Sequence, residues 1–346
     1  MKTTGVLEKV ASTDFLQAAA LMHSRQIRLD AIAAGVKESD LPAVRATKQS
    51  LLNLPLAAYR NYKEPVEDGF KIAARFLRQV HIFRVADLPY QTQVVPLAAI
   101  LAIIGNKWEN AATQAKLRRW FWCGIFGELY GSAIESRFAK DAWEVPIWLD
   151  GGPEPTTVRD GTFRADRLHT VRTRLSAAYK GIHALLMEEG AKDFRSGQAF
   201  DQMAFFDDTV DIHHIFPQAW CEKQNIDAKI YDSIINKTPL GARTNRIIGG
   251  AAPADYLARI EKGSVKEEPI APDLLDVHLR SHCIDPVLLR ADGFAAFMSD
   301  RKKRLLALIA KVTGHTIAHA DILPSEDEEV PDDIARDAGV VPLAAE

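Results

Sequence analysis

Polar and apolar positions alternate along the first half of the chain with a helical period. In "STDFLQAAALMHSRQIR" (12–28) the apolar residues recur three and four apart, behind an N-cap signal at Ser12 or Thr13. "VEDGFKIAARFLRQVHIF" (66–83) repeats the pattern and puts Phe70, Ala73, Ala74 and Leu77 on one stripe. "LPYQTQVVPLAAILAIIG" (88–105) and "KLRRWFWCGIFGELYG" (116–131) are apolar on most sides, which predicts helices inside a bundle. Trp120, Phe121, Trp122 and Phe126 then read as core, with a base-stacking surface as the alternative use.

The pattern changes after "DGGPEPTTVRDG" (150–161), whose turn formers mark a boundary. "LHTVRTRLSAAYKGIHALLMEEG" (168–190) predicts one further helix, ending at Gly190. "FDDTVDIHHIFP" (206–217) predicts a short strand broken by Pro217, and "SIINKTPLGARTNRIIGG" (233–250) a second short strand that turns into a helix. "APADYLARIEKG" (252–263) and the amphipathic "DGFAAFMSDRKKRLLALIAKVTG" (292–314) complete the helices. The fold class expected is mainly α with a small α+β part. A helical domain spans 1–155, a mixed domain 156–320, and an acidic, disordered tail 321–346.

Composition leaves this picture intact: 47% hydrophobic and 26% charged residues are ordinary for a globular protein. The longest apolar runs, Val94–Ile104 and Trp120–Phe126, are too short to cross a bilayer, so no membrane partner is expected. "MKTTGVLEKVAS" lacks the apolar core of a signal peptide, and three scattered cysteines form no disulfide framework; a cytoplasmic location is expected. Charge adds more. The net charge is −3, but residues 321–346 hold nine acids and one base, a net −8 that leaves +5 on the other 320 residues. Between Arg159 and Arg195 eight bases face five acids, a mild basic patch able to follow phosphates, or else a solvated helix face.

The candidate chemistry lies where the strands fall. "DIHHIFPQ" (211–218) places two imidazoles side by side at the end of the first strand, where neighbours point to opposite faces. Asn236 follows 22 positions after His214, and Asn245 comes 9 positions after Asn236.

With "NKTPLGARTNR" (236–246), these residues resemble the HNH nucleases, which have a ββα-metal core. The resemblance is close to the HNH domain of the CRISPR effector nucleases, and the wider order of elements is similar to the C-terminal half of GmrSD-type modification-dependent restriction endonucleases, strongest over about 165–260. It implies a helical N-terminal domain, then an HNH core with flanking helices. It implies His213 and Asn245 as metal ligands, and His214 as general base with Asn236 as its orienter. Asp211, two residues before His213, is an outer-shell candidate or a salt-bridge residue, and Arg246 a phosphate contact or a surface residue. A departure matters for the metal. No third motif histidine is present, which favours Mg²⁺, with Mn²⁺ as a substitute, over tightly held Zn²⁺.

Physical chemistry supports those roles. Phosphodiester hydrolysis needs a proton acceptor at neutral pH, which an imidazole provides. One ring nitrogen must face the water while the other is held, so the tautomer has to be fixed. The function expected is a metal-dependent DNA endonuclease of restriction or phage defence, acting on DNA, including modified phage DNA. A nucleotide-binding recognition domain or subunit, absent from this sequence, is the expected partner. The alternatives are a catalytically silent DNA-binding or scaffold subunit and an HNH-type RNase.

Overall fold

The computed structural model describes residues 5–200, 210–263 and 268–317, and for 210–212 the backbone alone. The protein is mainly helical; among the described residues the only sheet has two strands. The expected tail, 321–346, lies outside the described residues.

Five long helices build the first half: α1 (Ser12–Ala33), α2 (Leu56–Gln79), α3 (Val94–Ile104), α4 (Ala111–Phe126) and α5 (Ile134–Leu149). The α3 helix is the hub, packed against α1, α2 and α5, with Val94, Val95, Leu97, Ala98, Ala99, Ile100 and Leu101 buried. That placement follows from its sequence, which leaves no polar face to give to water. On α2 the expected stripe is buried at Phe70, Ala73 and Leu77. Gly69 lets α2 approach closely, since a Cβ there would stand 2.3 Å from the Ala98 carbonyl oxygen of α3. The α1 helix opens one residue earlier than expected. Ala11 takes the N-cap place and donates its N–H to the Asp14 carboxylate at 2.9 Å, so the first-turn acid provides the cap in place of a hydroxyl.

The aromatic run of α4 is core, with Trp120, Phe121, Trp122 and Phe126 all buried. Trp120 meets a buried carboxylate there. Asp141 of α5 accepts from the Trp120 indole (3.0 Å), the Thr157 hydroxyl (2.5 Å) and the Tyr130 hydroxyl. Burial nevertheless pushes this carboxyl up to about 6, against the pull of its three donors and of Arg137.

The second half contains α6 (Ala177–Glu188), β1 (Val210–His214), β2 (Lys237–Gly241), α7 (Ala242–Ile248), α8 (Pro253–Lys262), α9 (Pro272–Arg280) and α10 (Phe294–Thr313). The turn-rich boundary expected near 155 precedes the short helix Thr156–Asp160, and the apolar core continues across it. There α4 packs on both α6 and α10, and Arg119 of α4 donates to the Thr313 carbonyl of α10 at 2.8 Å.

Two expectations are corrected. The helix over 168–190 is two helices, Arg167–Thr170 and α6, separated by Val171–Ser176. Two carbonyls of that break are committed elsewhere: Val171 O accepts from the Ile234 N–H (2.8 Å) and Arg172 O from the Lys237 ammonium (2.7 Å). A continuous helix would have used them itself. Pro217, expected to break the strand, instead sits at the N-cap of the short helix Gln218–Lys223; β1 ends earlier, at His214.

Candidate active site

The two strands pair antiparallel, with Val210 opposite Gly241, His213 opposite Thr238 and His214 opposite Lys237. The pairing carries on past β1, where the Ile215 N–H meets the Asn236 carbonyl at 2.8 Å. Gly241 closes β2 and is also the N-cap of α7, so strand, strand and helix form one unit without a linker. The α7 helix packs against both strands.

Asp193 fixes the strand-to-helix junction from outside. Its carboxylate accepts the Gly241 N–H (3.0 Å) and the Thr244 hydroxyl (2.7 Å) at the start of α7, and also the N–H groups of Arg195 (3.1 Å) and Ser196 (2.9 Å). A buried acid at a helix N-terminus is favourable when so many donors reach it.

His214 is half-buried, and its Nε2 lies 2.9 Å from Asp232 Oδ1. The same oxygen accepts from Lys237 Nζ at 2.7 Å. Burial lowers the His214 pKa; the bond and charge of Asp232 pull it back, Lys237 pushes it down again, and the balance is below the usual histidine value. His213 is also lowered, by burial and by the positive charge of Arg174 and of His214 when protonated. Both rings are therefore neutral at pH 7 and able to accept a proton or a metal ion. Burial pushes the Asp232 carboxyl up, but the Lys237 and His214 bonds bring it below the ordinary carboxylate value, so it is ionised. The Tyr231 ring stands edge-on to His214 at 6.0 Å.

Among the described residues Asn236 makes no hydrogen bond to the His214 ring. It lies in the 3-10 turn Ile234–Asn236 just before β2, fully buried, and its amide is committed to backbone. Asn236 Oδ1 accepts the Phe216 N–H (2.8 Å), while Nδ2 donates to the Phe216 carbonyl (3.0 Å) and the Tyr231 carbonyl (2.9 Å). The amide is held there because, among the described residues, the Phe216 N–H and the Tyr231 carbonyl have no other partner, and the Phe216 carbonyl has besides it only the Cys221 thiol at 3.6 Å. The hydrogen-bond partner of the His214 ring is Asp232.

His213 is half-buried and lies on β1; Asn245 is half-buried on α7. The ββα order brings their elements together, and among the described residues neither side chain is hydrogen-bonded to another group. Among the described residues no three His, Cys, Asp or Glu side chains converge as a metal-ligand cluster. One neutral imidazole and one amide fit an ion that keeps most of its waters, as Mg²⁺ does. Arg246 is exposed on α7. The Asp211 backbone pairs with Leu240, and its side chain lies outside the described residues. Trp220 packs on Phe216 and Phe294, with ring centroids 5.0 and 6.4 Å away.

No family model matches the chain. It is 28% identical over 211 residues to an uncharacterized protein of Methanocaldococcus jannaschii, a match that covers 59% of this chain and 35% of the relative. The chain thus spans about a third of that relative's length.

Beyond Asp193, Asp232 and Lys237, sequence reasoning missed Arg301 of α10. Its guanidinium is fully buried, and burial lowers it to about 10. It donates to the carbonyls of His282 (3.2 Å), Lys237 (2.8 Å) and Ile235, fastening the segment that leads into β2. One signal was available: Arg301 falls four residues from both Phe297 and Leu305, on the apolar stripe of its helix.

Proposed function

We propose that the chain is a metal-dependent endonuclease that hydrolyses DNA phosphodiester bonds at the β1–β2–α7 unit, in the manner of the HNH nucleases. One observation carries the reading: His214 is a neutral imidazole at a strand end, with one ring nitrogen committed to Asp232. Such a group accepts a proton from water at neutral pH. The attacking water would sit on the Nδ1 side of the ring. Arg174 and Lys237 place positive charge around the two imidazoles, the sign a phosphodiester requires. His213 and Asn245 are the residues that would hold a divalent ion, Mg²⁺ or Mn²⁺, which when bound supplies charge neutralisation at the scissile phosphate. Selectivity for modified phage DNA, and any nucleotide control, belongs to a partner domain or subunit in a restriction or anti-phage system.

The test is nicking of supercoiled plasmid by the purified chain with Mg²⁺, Mn²⁺ or chelator. His214→Ala should lose about 10²- to 10⁴-fold in rate while DNA binding persists. His213→Ala and Asn245→Ala should raise the metal concentration needed. Wild-type cleavage by His214→Ala, or no cleavage by the wild-type chain with either metal, would refute the proposal. Faster cleavage of RNA than of DNA would reassign the substrate.

A further inference from the structure

We propose that Asp232 is the positioning residue of His214: it holds the ring as the Nε2–H tautomer, so that Nδ1 is the atom left to accept a proton, and Lys237 holds Asp232 in place. The catalytic meaning of this arrangement rests on the nuclease reading above; the tautomer itself does not.

A neutral imidazole carries one N–H and one acceptor nitrogen. An ionised carboxylate only accepts, so the 2.9 Å contact between Nε2 and Asp232 Oδ1 requires the hydrogen on Nε2. The carboxylate is itself held from two sides. Lys237 lies directly across the ladder from His214, is 8% exposed, and spans from the Arg172 carbonyl (2.7 Å) to the same Asp232 oxygen (2.7 Å). The Asp232 backbone closes the short helix Ala228–Tyr231, its N–H donating to Ala228 O at 2.9 Å. The preceding carbonyl, that of Tyr231, is taken by Asn236 at 2.9 Å. Asn236 therefore acts on the base at one remove, by fixing the turn that presents Asp232. Side chain and backbone together leave the carboxylate little freedom to move off the ring. A plain surface ion pair would lack these anchors and would be worth little.

The experiment reads the tautomer by ¹⁵N–¹H correlation spectra of the full chain with ¹⁵N-labelled histidine, at a pH where His214 is neutral, with its signals identified by their loss in His214→Gln. The wild type should show His214 as Nε2–H. Asp232→Asn, whose amide oxygen can still accept, should keep that tautomer. Asp232→Ala should give a tautomer mixture and a kcat at least about 10- to 100-fold lower, the range typical of losing the hydrogen-bond partner behind a metal-bound imidazole, with KM for DNA little changed. A wild-type His214 in the Nδ1–H form overturns the proposal, as does Asp232→Ala with both the pure Nε2–H tautomer and wild-type kcat. Should circular dichroism show Asp232→Ala unfolded, the wild-type and Asp232→Asn spectra decide. A chain that cleaves nothing would remove the nuclease reading while leaving the tautomer result to stand or fall alone.

Discussion

Asn236→Ala separates a residue that acts directly on the His214 ring from one that holds the backbone around it. The amide is fully buried and makes three hydrogen bonds, one from the Phe216 N–H and two to the carbonyls of Phe216 and Tyr231. Removing it strands the Phe216 N–H and the Tyr231 carbonyl and leaves the Phe216 carbonyl only the weak Cys221 thiol donor at 3.6 Å. Each such group costs about 1–3 kcal/mol, and water entering the vacated space recovers part, so the expected loss is about 3–6 kcal/mol. That is a large share of a typical total of about 5–15 kcal/mol. With a urea slope of about 3 kcal/mol per molar, the unfolding midpoint should fall by about 1–2 M. Asn236→Asp is the sharper control. It keeps the shape but turns the donor that serves two carbonyls into an acceptor, so at pH 7 it should be at least as destabilising. The assay is urea unfolding followed by far-UV circular dichroism, with cleavage measured where the variants remain folded. Both variants within about 1 kcal/mol of wild type, together with lost cleavage, would refute this reasoning and restore Asn236 as a direct orienter.

Two further outcomes follow from buried charges. Arg301→Leu leaves the carbonyls of Ile235, Lys237 and His282 without their donor and should cost about 3–5 kcal/mol in urea unfolding; Arg301→Lys should recover only part, because an ammonium has no counterpart to the Nε–H that reaches His282. A neutral Arg301→Leu would mean that water satisfies those carbonyls. Asp141 has a folded-state pKa of about 6 against an ordinary 3.8, so the stability its neutral form confers is present below about pH 4 and lost as pH rises through about 6. The stability difference between Asp141→Asn and wild type should therefore move by about 2 kcal/mol in favour of the variant between pH 4 and 7. A difference that stays flat over that range would show that the carboxyl is not raised.

Elements with a local pattern could be read directly from residue order. The all-round apolar run of Val94–Ile104 had to become the buried hub, because no face of that helix is polar. The stripe Phe70, Ala73 and Leu77 fixed the inner face of α2, and the two short strands with a helix after the second were legible from residue type and turn chemistry. The positions of His213 and His214 at a strand end were readable for the same reason. What each polar group does depends on packing between distant elements. Helical periodicity over 168–190 promised one helix, yet Ile234 and Lys237, at the entry to β2, claim carbonyls of Val171 and Arg172, and the helix breaks there. Nothing in the spacing of "YDSIIN" indicates that Asp232, and not Asn236, faces the His214 ring. Among the four consecutive bases Arg301 to Arg304, the first two are buried and the last two exposed. Periodicity reports which way a residue faces; the partner it meets there belongs to another element, brought close by packing across many residues of chain, and only that partner decides whether a buried polar group is a cost or a clamp.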